Sequence, residues 1–208
     1  NSIAKYNVAG IEIENCYNAD VYNNLATHNA GGLLVFDLPN LPQQGGHNVR
    51  FFNNRSIDND TKNFAPIGNI VGDTPTGTGL MIMANNHVEA FGNYFDGNGT
   101  ANVILRAYYT MAKKKDDPNM DVYPQAIYIH DNIFGTGGFK PMGERGIMYA
   151  DAAGRKTLPD IVWDGIMNPK KLVNGKLPKE LGIYVENNGD ADFVNLDLAA
   201  YFKDAKSN

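Results

Sequence analysis

With a single cysteine, Cys16, the 208-residue chain cannot close an internal disulfide, so its stability has to come from packing and hydrogen bonding. No histidine or aspartate is placed to make Cys16 a nucleophile, and it reads as a small packed or turn residue. No apolar run approaches the roughly 20 residues that span a bilayer, and the first residues show neither a basic nor an apolar leader segment. Basic residues are also few: 18 Lys and Arg stand against 23 Asp and Glu, a net charge of −5, and the only basic run is "KKK" at 113–115. That argues against a nucleic-acid-binding surface. The nine-residue Gly/Asp repeat of calcium-binding β-rolls is absent, so calcium has no motif behind it; no other metal or cofactor is predicted. Helix signals are missing until "LDLAAYFKDA" at 196–205.

What the chain does have is a repeat. "NSIAKYNVAG" (1–10) aligns with "NNLATHNAGG" (23–32), matching Ser2 to Asn24, Asn7 to Asn29 and Gly10 to Gly32, a shift of 24 − 2 = 22 residues. The pattern returns at Asn54 and Asn59, at Asn93 and Asn98, and at Asn132, where Gly137 takes the second position. The spacings 54 − 24 = 30, 93 − 54 = 39 and 132 − 93 = 39 place insertions in the later repeats. Around each Asn, short segments alternate with period two. Ile11/Ile13, Leu33/Val35 and Leu80/Ile82 form one inward set, and Ala19/Val21, Val49/Phe51, Val88/Ala90 and Ile127/Ile129 a second.

A unit of this length, built of short strands and Asn/Gly turns, predicts an all-β parallel β-helix whose rungs stack about 4.8 Å apart. Asn24, Asn54, Asn93 and Asn132 are then a structural ladder, because Asn tolerates left-handed turns and its amide bonds to the copies above and below. Residues 1–135 are expected to carry the rungs. Residues 136–208 are expected to form a loop-rich C-terminal rung and cap of the same domain, with "LGIYVENNGDADFVNLD" returning to strand alternation and "LAAYFKDA" closing the end. Because Ser2 holds a ladder position without a preceding strand, the chain is expected to be the C-terminal part of a longer solenoid with further rungs upstream.

Stacking puts the outward residues into columns. Glu12, Leu34, Met81 and Ile104 form one, and Glu14, Phe36, Met83 and Arg106 its neighbour. After the first rung both turn apolar. Either the insertions at 57–76 and 109–124, or the C-terminal segment, cover this stripe, or it is a binding surface with Glu14, Phe36, Met83 and Arg106 at its edge. On the second set, Asp20, Arg50, Glu89 and Tyr128 read as a charge ladder. Tyr22, Phe52, Phe91 and His130 read as an aromatic stack, packed under a loop or holding sugar rings on its faces. His130, beside Asp131, is the best acid–base candidate, against a stacking or capping role. Three N-x-S/T triplets begin at Asn54, Asn59 and Asn98, as Asn-rich turns produce by chance.

"YNVAGIEIENCYNADVYNNLATHNAGGLLVFDLPNLPQQGGHNVRFFNN", with "GTGLMIMANNHVEAFGN" and "LGIYVENNGDADFVNLD", resembles the bacterial parallel β-helix repeat-containing proteins, above all in "GGLLVFDLPNLPQQGG". The resemblance implies a right-handed β-helix with long loop insertions, export to the periplasm or outer-membrane and extracellular space, often as a lipoprotein, and no established activity. More remotely, the repeat is similar to those of pectate and alginate lyases and mannuronan C5-epimerases. Two functions follow as expectations. One is a non-catalytic exported scaffold or binding module that presents a solenoid face to a partner protein or glycan. The other is a polysaccharide-modifying enzyme of the uronate lyase or C5-epimerase type, drawing its cation and base from Arg106, His130, Tyr128 and Glu89.

Overall fold

The computed structural model describes residues 1–66, 68–108 and 117–204, and its strands fall into three sheets in which every pairing is parallel. Sheet A holds β1 (Ile3–Lys5), β4 (Leu25–Thr27), β7 (Arg55–Ile57), β10 (Tyr94–Asp96) and β13 (Ile133–Phe134). Sheet B holds β2 (Ala9–Glu14), β5 (Gly31–Phe36), β8 (Thr78–Met83), β11 (Ala101–Arg106), β14 (Ile161–Trp163) and β16 (Phe193–Asn195). Sheet C holds β3 (Tyr17–Tyr22), β6 (His47–Phe52), β9 (Asn86–Phe91), β12 (Gln125–His130) and β15 (Ile183–Glu186). Through β15 each strand pairs with the one three later, so the chain is a parallel β-solenoid.

Period-two alternation builds the core. Leu33, Val35, Leu80, Ile82, Val103 and Leu105 from sheet B meet Val49, Phe51, Ala90, Ile127 and Ile129 from sheet C, all fully buried. Burying each large side chain contributes about 1.5–3 kcal/mol.

Two asparagine ladders stitch the turns. Asn24, Asn54, Asn93, Asn132 and Asn188 form the first: each backbone N–H and each Nδ2 donates to the Oδ1 of the next rung's Asn at 2.9–3.1 Å. From Asn54 onward, Nδ2 also donates to the carbonyl of Val21, Phe51, Ala90 or Ile129. Asn7, Asn29, Asn59 and Asn98 form the second in the same manner. The expected left-handed turn belongs to a neighbour, however. Asn23, Asn53, Gly92, Asp131 and Asn187, each one residue before a ladder Asn, hold φ of 51–61°. One residue bends the chain while the next supplies the amide. The three glycosylation-like triplets start at ladder residues no more than 1% exposed.

The outward face of sheet B is covered. Leu34, Phe36, Met81, Met83 and Ile104 pack beneath Val71, Met120, Val122, Tyr149, Ala150, Leu196 and Leu198. Tyr149 and Ala150 sit on α1 (Gly143–Ala152), a helix within the stretch 136–208 expected to be loop-rich. Its sequence carries two glycines, and Met142 gives no side-chain cap, so local signals are weak. Burial of one face supplies what they lack. Arg145 ties α1 to the insertion after β7, donating from Nε and Nη2 to the Asp73 carbonyl and carboxylate, both at 3.1 Å. The C-terminal helix, α2 (Leu198–Asp204), adds Leu198 to the cover. Residues 109–116, with the 113–115 lysines, and 205–208 lie outside the described residues.

Under this cover lies Asp164, only 3% exposed, its carboxylate accepting from Ala107 N at 2.7 Å and Ile166 N at 2.9 Å. Burial outweighs those two bonds and the nearby Arg106, and pushes its pKa from 3.8 to about 6. The folded state therefore holds a proton that the unfolded chain has released. This contribution is complete below pH about 4 and is lost as pH rises through about 6, a change of about 3 kcal/mol. Urea unfolding of Asp164→Asn should accordingly lose this acid-side advantage, narrowing the stability difference between pH 4.5 and 7. A pH profile parallel to wild type would assign the proton uptake to another group.

Candidate functional site

The outward residues of sheet C stay exposed or half-buried from β3 to β12. The register places Asp20, Arg50, Glu89 and Tyr128 in one column and Tyr22, Phe52, Phe91 and His130 in the next. The first is paired as opposite charges on neighbouring rungs predict. Arg50 donates from Nε and Nη2 to both Asp20 oxygens, at 2.8 and 2.7 Å, and this bidentate bond lowers the Asp20 pKa. Tyr128 donates to Glu186 Oε2 at 2.8 Å, which raises the phenol pKa.

The second column is a stack from end to end. Ring centroids lie 4.9 Å apart for Tyr22 and Phe52, 5.1 Å for Phe52 and Phe91 and 5.3 Å for Phe91 and His130, with planes within 9°. Packing under a loop does not describe it: Tyr22 is 47% exposed and the others partly exposed. Nor are its faces open to sugar rings, since inside the column each ring faces another ring. Only edges reach solvent there.

His130 closes the stack between two carboxylates. Nδ1 lies 2.6 Å from Asp131 Oδ2 and Nε2 lies 3.0 Å from Glu89 Oε1. Partial burial opposes charge on the ring, but the two hydrogen bonds outweigh it and raise its pKa above the ordinary histidine value. A carboxylate at each nitrogen favours the doubly protonated ring, in which both N–H groups donate. Both nitrogens are thereby occupied by the protein's own carboxylates, which opposes a role as base toward a substrate.

The remaining candidates separate. Glu89, Tyr128 and His130 share the sheet C face, whereas Arg106 is 3% exposed on β11 of sheet B, with Nη1 directed at the Asp73 carbonyl at 3.4 Å. Phe36 and Met83 lie under the cover at 1% and 3% exposure, and among the four binding candidates only Glu14 is exposed. The covered-stripe expectation therefore describes these columns. Asn24, Asn54, Asn93 and Asn132 take the ladder positions assigned to them.

A third column on this face escapes the repeat alignment. Asn18, Asn48 and His87, next to β3, β6 and β9 residues of fixed register, hold φ of 56°, 57° and 51° within their strands. Asn48 Nδ2 donates to Asn18 Oδ1 at 3.0 Å. Together with Asp20, Arg50 and Glu89 they line a shallow depression of about 410 Å³. The signal was present in "YNAD", "HNVR" and "NHVE", where a polar residue follows the first strand position, but period-two reading treats it as ordinary alternation. Among the described residues no group of three or more His, Cys, Asp or Glu is placed to hold a metal ion. Comparison of the chain with family models, with curated proteins and with solved structures gives no match.

Proposed function

We propose that the protein is a non-catalytic binding module, an exported bacterial β-helix that uses the open face of sheet C to hold a partner macromolecule. The observation that carries this is the contrast between the two wide sheets: from β5 onward sheet B is covered by α1 and the insertions, while sheet C presents ordered, solvent-facing columns along the solenoid. Residue arrangement argues against uronate lyase or epimerase chemistry. That chemistry needs a cation for the carboxylate and a base for the adjacent proton on one face. Here Arg106 lies under the cover, Arg50 is spent on Asp20, and both His130 nitrogens are spent on carboxylates. Incubation with a panel of uronic-acid and neutral polysaccharides, with and without calcium, should give binding and no product. Unsaturated sugars detected by absorbance, or epimerised sugars by NMR, that vanish in His130→Ala would replace this reading with the enzyme.

A further inference from the structure

The depression on sheet C restricts what the face can hold. Its six lining side chains end in amide, carboxylate, guanidinium and imidazole groups, with no aliphatic side chain and no phenyl, phenol or indole ring among them. Protein interfaces concentrate their energy in buried aromatic and aliphatic anchors, and this floor offers none. Arg50 is committed to Asp20 and one Glu89 oxygen to His130, so the six lining residues set two carboxylates against one guanidinium. Both carboxylates remain beside the depression, so an anionic ligand meets like charge with no uncommitted cation to offset it. What remains free is a mixture of single donors and acceptors. Asn18 Nδ2, Arg50 Nη1, Glu89 Oε2 and His87 Nε2 have no partner among the described residues. Hydroxyl groups, each a donor and an acceptor at once, satisfy such a mixture.

The geometry points to an uncharged polysaccharide bound along the solenoid axis in the depression formed by Asn18, Asp20, Asn48, Arg50, His87 and Glu89. This rests on the binding-face reading above and goes beyond it by fixing the ligand's chemistry. A volume of about 410 Å³ falls within the ~300–1,000 Å³ of small-ligand sites. The two columns carry polar groups across three successive rungs, which suits an extended chain.

Titration calorimetry of the full chain with neutral gluco- and xylo-oligosaccharides, against galacturonate and mannuronate oligomers of equal length, tests this. Neutral sugars should bind at least about tenfold more tightly than uronates, the scale of one or two lost or opposed charge-assisted bonds. Asn18→Gly/Asn48→Gly should weaken neutral binding by about tenfold or more while thermal stability stays near wild type, since glycine accepts the left-handed φ at both positions. Tighter uronate binding, or unchanged binding in the double variant, overturns the proposal. If no neutral sugar binds but a uronate or a protein protects β3, β6 and β9 from hydrogen exchange, the ligand class falls and the face stands. If nothing protects those strands, both fall.

Discussion

Asn93→Ala is expected to destabilise the protein by about 3–5 kcal/mol, more than an ordinary polar-to-alanine change, because one side chain serves three rungs. Its Oδ1 accepts from Asn54 N and Asn54 Nδ2, both at 3.0 Å, while its Nδ2 donates to Phe51 O at 2.8 Å and Asn132 Oδ1 at 2.9 Å. Asn93 is 0% exposed, so water cannot repair the loss. The buried Asn54 backbone N–H loses its acceptor, Asn54 Nδ2 keeps only the Val21 carbonyl, and Phe51 O and Asn132 Oδ1 each lose a donor. Asn93→Asp sharpens the test, since it keeps the shape but turns the donor toward Phe51 O and Asn132 Oδ1 into an acceptor. At neutral pH it should be at least as damaging as alanine, and acid should partly restore it, because a protonated carboxyl regains one donor. Urea denaturation at pH 7 and pH 4.5 gives both answers. A loss below about 1 kcal/mol for alanine, or no acid recovery for aspartate, would remove the ladder from the stability account.

The second large effect concerns the exchange of Gly and Asn between two columns. In three rungs, a Cβ added at Gly10, Gly32 or Gly79 would lie 2.7–2.8 Å from the ladder amide of Asn29, Asn59 or Asn98 on the rung above. On the next rung the arrangement reverses. Asn102 occupies the glycine column, Gly137 occupies the ladder column, and Asn98 Nδ2 donates to Asn102 Oδ1 at 2.8 Å. Each level has room for one amide. A Cβ at Gly137 would lie 2.3 Å from Asn102 Nδ2, so Gly137→Asn alone should cost about 2–4 kcal/mol through overpacking and a displaced hydrogen bond. Asn102→Gly alone leaves Asn98 Nδ2 without its Asn102 acceptor. Combining the two should recover part of the loss, with a coupling energy of about 1–3 kcal/mol. Simple additivity would show that the two amides do not compete.

Much of this architecture is legible because stacking imposes one residue type on one position. The columns from Glu12 to Ile104 and from Tyr22 to His130 follow from alternation and the Asn spacing alone. Asn188 escaped that spacing because 56 residues separate it from Asn132, although "IYVENN" repeats the form of "IYIHDN". The α1 helix was illegible for a different reason. Its stability lies in Tyr149 and Ala150 buried on a sheet that is remote in sequence, and no local cap announces it. His130 shows the same limit at the site. Asp131 is its neighbour in sequence, but Glu89 reaches it diagonally from the Tyr128 column, and that second contact occupies the ring nitrogen a base would use. Alternation puts Arg106 in the column of Met83, but its burial under the cover comes from segments remote in sequence.

That sheet C is the working face and sheet B the sealed one is tested most directly by hydrogen–deuterium exchange of the full chain with and without a saturating neutral oligosaccharide. The account predicts added protection in β3, β6 and β9, with exchange in α1 and in the residues packed on Leu34, Met81 and Ile104 unchanged. Protection appearing instead at α1, or faster exchange there as the cover lifts from sheet B, would contradict it.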